Sequence, residues 1–203
     1  MARNENLPFE QGATFYNGGT IDSNNLGGTN LEGMEFVVED FSPSTGVVRT
    51  GMYRRLRIVR NVSGVALLPK MLVRFDTTAG KVGTRVIGYA RTTAAEGYPV
   101  DEYLPTAGCP NNDLCYIVIE GPATVITQKA AGAPGVIGVN SWVVASTAAA
   151  STHSTTAGRV EVQDLTGATA LLADQVQNRV GRALSAKTTA NTDADLLIAC
   201  GHW

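Results

Sequence analysis

Charged side chains make up only 17% of this 203-residue chain, and aromatic ones only 6%. The formal balance of −2 provides no basic excess of the kind that grips a polyphosphate backbone, so nucleic-acid binding is not expected. Long hydrophobic runs are missing as well. The longest, Leu114 to Ile119, is six residues, against about 20 for a membrane-spanning helix. The opening MARNENLPFEQG has no apolar segment after its arginine, so neither a secretory signal nor a membrane partner is expected. Three cysteines make an odd count that does not suggest a disulfide framework. Cys109 and Cys115 are near enough in sequence to bridge, but synthesis without a signal peptide favours free thiols. Their spacing, CPNNDLC, is wider than zinc pairs use, and His153 and His202 sit in no metal-binding pattern. No metal or cofactor is expected.

Catalytic patterns are equally scarce. No serine occupies a G-x-S-x-G elbow. Thr78-Ala79-Gly80-Lys81 resembles part of a phosphate loop, but Phe75 stands where the first glycine belongs and Val82 follows the lysine. That stretch is expected to be a hairpin turn. Asp101 and Glu102 are adjacent, so on a strand they would point to opposite faces and not act as an acid/base pair. They are expected in a solvated loop. Nothing in these spacings predicts an enzyme.

Small and β-branched residues are abundant instead. Gly, Ala, Val and Thr account for 90 of the 203 residues, while 44% of the chain is hydrophobic, enough to bury a core. This bias favours strands and tight turns. Residues 1–33 stand apart: six Gly and six Asn raise the backbone entropy that ordering must overcome. They read as an extended arm whose Leu7, Phe9, Phe15 and Tyr16 are candidate anchors on a partner. Residues 34–62 read as a strand-rich connector, with a strand at Met34–Phe41 and turn chemistry at Ser42-Pro43-Ser44-Thr45-Gly46. In Tyr53–Val62, Leu56, Ile58 and Val62 alternate with Arg55 and Arg57, the period of a half-buried strand. Four acids between residues 32 and 40 precede five arginines between 49 and 60. Arg54, Arg55, Arg57 and Arg60 are therefore candidate contact residues. Glu32–Asp40 offers them a complement, within the chain or in a neighbouring copy.

Residues 63–203 read as one β body. Strands are expected at Val65–Leu68, Met71–Phe75, Thr84–Ala90, Leu114–Glu120, Ala123–Thr127, Ser141–Ala145, Arg159–Gln163, Val180–Ala186 and Asp195–Cys200. Short strands at this spacing indicate an antiparallel barrel or sandwich. Ala168–Val180 is the one helix candidate, with a loop as the other reading. An internal echo pairs Thr77–Val82 (TTAGKV) with Thr155–Val160 (TTAGRV), and Arg85–Ala90 with Arg179–Leu184. It suggests two related halves.

The segments GVALLPKMLVRFDTTAGKVGTRVIGYA (64–90), CYIVIEGPATVIT (115–127), NRVGRA (178–183) and the final strand 195–200 resemble the head decoration, or cement, proteins of tailed phages. The resemblance covers roughly residues 64–200; the long section 1–62 departs from the minimal pattern. It implies a small β-barrel, commonly trimeric, that binds the major capsid protein on the outer surface of the virion. It implies no catalytic residue. The expected function is thus capsid decoration; the alternative is a carbohydrate- or receptor-binding β module of a virion.

Overall fold

The computed structural model describes residues 7, 11–14, 31–89, 97–127, 136–146, 158–162, 178–188 and 194–201. Among these, all regular structure is β. The strands in chain order are β1 (Glu35–Phe41), β2 (Val48–Asn61), β3 (Leu72–Phe75), β4 (Arg85–Gly88) and β5 (Tyr98–Pro99). They continue with β6 (Leu114–Ile126), β7 (Trp142–Ala145), β8 (Val160–Val162), β9 (Arg179–Ala183) and β10 (Asp195–Cys200).

A four-stranded antiparallel meander, β1-β2-β6-β10, forms the spine. Two three-stranded units are inserted into it, β3–β5 between β2 and β6, and β7–β9 between β6 and β10. The continuous hydrogen-bonded order is β5-β3-β4-β2-β6-β10-β9-β7-β8, with β1 beside β2. The sheet does not close into one barrel. Single bridges, Val100 with Ile117 and Thr127 with Val160, instead fold each end back onto β6. Residues 34–62 are accordingly part of the sheet: β2 pairs with β1, β4 and β6.

The two units repeat one layout. In each, a bridged residue (Leu67 or Ile137) is followed three residues later by a left-handed one, Lys70 (φ 64°) or Asn140 (φ 66°). The central strand follows, β3 or β7. Then comes a strand parallel to the spine: β4 on β2, and β8 bridged to Thr127. Within the TTAG echo, Gly80 and Gly158 share φ 76°, while Thr155, Thr156 and Ala157 lie outside the described residues. The second part of the echo does not mark equivalent strands, because β4 corresponds by position to β8, whereas Arg179–Ala183 corresponds to β5. Parallel or antiparallel placement is a long-range property that short Val/Gly motifs do not encode. Of the expected strands, Val65–Leu68 is reduced to the Leu67–Cys109 bridge. Leu114–Glu120 and Ala123–Thr127 merge into β6. The helix candidate lies outside the described residues up to position 177; Arg179 and Val180 begin β9.

β6 explains its own unbroken apolar run. Leu114, Tyr116 and Val118 enter the larger core with Leu56, Ile58, Val125, Val143, Leu196 and Ile198. Cys115 and Ile117 point the other way, into a second core with Val59, Val73, Val86 and Val100. A strand buried on both faces needs no polar alternation. Gly121 (φ 95°) lets β6 pass β2 closely: a Cβ there would lie 2.4 Å from the Tyr53 carbonyl oxygen. The halves are tied together by Tyr89, whose hydroxyl donates to Asn178 Oδ1 at 2.6 Å, and by the Leu72 amide bonded to Gly158 O at 2.7 Å. Lys70 and Asp195 add an ion pair of 2.5 Å.

Candidate functional site

The β1–β2 hairpin combines an anchored base with an exposed apolar outer surface. Its turn, residues 42–47, closes where the sequence expects it, with the Ser42 amide bonded to Val47 O and the Gly46 amide to Ser42 O, both at 2.8 Å. Beneath lies a buried ionic cluster. Arg49 spans Asp40 and Glu102, its Nη2 at 2.6 Å from Asp40 Oδ1 and 2.8 Å from Glu102 Oε1. Arg54 Nη1 donates to the same Glu102 oxygen at 2.8 Å. Thr50 donates to Asp40, and Thr124 to Glu102. Burial alone would lower the pKa of Arg49, but its bonds to Asp40 and Glu102 outweigh that and raise it. The guanidinium of Arg54 sits 5.0 Å over the ring of Tyr103, whose hydroxyl donates to Phe41 O at 2.5 Å. Burial pushes the Tyr103 hydroxyl up to about 12.

The candidate arginines thus divide. Arg54 lies on the face of Leu56 and Ile58 and is fully buried. Arg55 bonds Glu120 at 3.3 Å and approaches Glu35, Arg57 pairs with Glu35, and Arg60 with Glu32. Glu32, Glu35 and Asp40 are the complement, within the same chain. The arginine stripe is consumed internally.

Asp101 and Glu102, expected in a solvated loop, are buried. Asp101 accepts the Gly12 amide at 2.9 Å and the Tyr103 amide at 3.3 Å. Its burial raises its pKa against the opposing pull of Arg54. Neither the loop position nor the adjacency announced this, because the acceptors are filled by residues 48 and 89 positions away.

Of the candidate anchors, Leu7 packs half-buried on the chain's own larger core; Phe9, Phe15 and Tyr16 lie outside the described residues. Leu31 is buried in that same core, and the Gly33 amide bonds Ile58 O at 2.8 Å. These parts of the arm dock in cis. Cys109, Cys115 and Cys200 are free and buried. A hydrogen bond with Cys109 that favours the protonated form, then burial, raises the Cys115 thiol well above its ordinary range.

The hairpin leaves several apolar side chains outside, beside the exposed Glu35, Glu39 and Arg55. Val47, Val48 and Met52 are exposed at its end, and Val37 and Tyr53 are 62% and 64% exposed along its flank. The opposed pairs Val37–Arg55 and Glu39–Tyr53 share that flank. On the far side of the sheet, Trp142 carries the guanidinium groups of Arg179 and Arg182 at 4.5 and 4.3 Å from its ring centre. The π surface that a sugar would stack on is occupied there by the protein's own arginines. No protein-family profile matches the chain, and no curated protein matches it.

Proposed function

We propose that this chain is a head decoration protein of a tailed phage that binds the outer surface of the capsid and holds neighbouring capsid subunits together. The single observation that carries the reading is the β1–β2 hairpin, whose exposed Val47, Val48 and Met52 project from a base locked by Asp40, Arg49, Arg54 and Glu102. Apolar side chains held out on a rigid support are organised for contact with another surface. The residues that carry the resemblance support it further, since they build β3, β4, β6, β9 and β10, the sheet on which the hairpin stands.

The physical logic is binding without chemistry. Burying each valine or methionine on a capsid groove contributes about 1.5–3 kcal/mol. The preformed hairpin loses little further entropy when it docks. Many copies on one shell multiply a modest contact into resistance to expansion.

The reading is tested by adding the purified chain to undecorated phage heads and measuring copurification and thermal resistance of the particles. The expected result is binding at a fixed ratio, weakened by Val47→Ser with Val48→Ser while the fold is retained. Failure of the chain to bind heads, or unchanged binding by the double variant, overturns it.

A further inference from the structure

We propose that copies of this chain join head to tail, with the Glu39–Tyr53 flank of the first hairpin in one copy seated on the Arg179–Trp142–Arg182 stack of the next. The proposal specifies the self-association that belongs to the decoration reading, and it concerns copies in solution without any capsid.

The charges that remain after internal pairing lead to it. Arg49, Arg54, Arg55, Arg57, Arg60, Arg85 and Lys70 each lie on a carboxylate of their own chain. Arg182 is exposed, lies over the Trp142 ring with its guanidinium carbon 4.3 Å from the ring centre, and has no ion pair with a described residue. Glu39 is exposed and likewise forms no ion pair among the described residues. Each of these two charges has an aromatic companion: Tyr53 opposite Glu39 on β2, and Trp142 opposite Arg182 on β7. Val37, two residues along the same face of β1, adds apolar surface to the acidic side. A carboxylate beside a tyrosine meets a guanidinium layered on a tryptophan with both charge and ring complementarity.

The two surfaces belong to different strand pairs, β1–β2 and β7–β9. β6 and β10 lie between β2 and β9 in the sheet, so hairpin and stack sit on different parts of it. Matching between unlike surfaces of identical chains is heterologous and closes into a ring when the rotation permits. Pairing β1 with a second β1 is the competing use of this edge. Antiparallel pairing centred on Val37 would set Glu35 opposite Glu39 of the other copy, and like charges directly opposed are destabilising.

The test is a charge swap read by sedimentation and light scattering across a concentration series. The wild type is expected to form a closed oligomer that weakens as salt rises. Glu39→Arg and Arg182→Glu are each expected to weaken assembly by about tenfold or more, and the combined variant to restore it. Circular dichroism and thermal unfolding confirm that both single variants keep the fold. A wild type that stays monomeric at every concentration overturns the proposal. So does assembly unaffected by either single change, or a double variant that stays dissociated. Particle binding is measured separately, so variants that dissociate yet still bind heads leave the decoration reading standing. An assembled chain that ignores heads removes that reading and keeps this contact.

Discussion

Glu102 holds two arginines at once, and its removal is the most consequential single change at the hairpin base. It bonds Arg49 and Arg54 while itself buried. Cutting one partner from a buried pair leaves an uncompensated charge, typically costing about 3–5 kcal/mol. Glu102→Ala is therefore expected to lower stability by that amount in urea unfolding, with Thr124→Val costing less. Asp101 carries a separate prediction, about pH. Its carboxyl pKa is raised in the folded state, chiefly by burial, so the native chain binds that proton more tightly than the unfolded chain. The cost of its charge is present at neutral pH and is relieved as pH falls through the raised native value toward the unfolded value near 4. The stability of the wild type relative to Asp101→Asn is expected to rise on acidification from neutral pH. Equal slopes for the two proteins would refute this.

At the scale of elements, residues 1–33 have more to do with the fold than their composition suggests. Gly12 donates to buried Asp101 and its Cβ position lies 2.4 Å from Tyr103 O, while Leu31 fills the larger core. Deleting 1–33 is expected to destabilise the β body outright. Leu31→Ala alone should cost about 2–5 kcal/mol. Both are measured by thermal and denaturant unfolding. β6 depends in turn on Gly121, where β2 backbone closes in on a left-handed residue. Gly121→Ala combines backbone strain with a clash against the Tyr53 carbonyl. It should cost well over 1 kcal/mol and show as a lowered unfolding midpoint.

For the whole molecule, the question is whether the halves unfold together. They share β6, and Gly158 presses so closely on Leu72 that a Cβ would lie 2.6 Å from its carbonyl oxygen. A side chain there must push the β7–β9 unit away from the β3–β5 unit. Gly158→Val is expected to lower the midpoint of one cooperative transition, reported alike by Trp fluorescence and far-ultraviolet circular dichroism. Two separate transitions would show that the shared strand does not couple the halves.

Local pattern was enough to read the β character, the turn at 42–46 and the half-buried face of Leu56 and Ile58, because strand periodicity and turn chemistry depend on neighbouring residues. The separation of acids at 32–40 from arginines at 49–60 was legible too, and it anticipated their pairing. Which arginine would be buried was not. Arg54 and Arg55 differ by one position, and only the docking of Glu102 and Tyr103 onto one face of β2 decides that Arg54 goes inside. The apolar run in β6 likewise signalled burial without showing that its two faces serve two cores. The Glu39 and Arg182 surfaces stand out only against the ion pairs that long-range contacts set among the described residues. Chain composition determined what this protein is made to form. Contacts between residues tens of positions apart decided which charges it keeps for itself and which it presents outward.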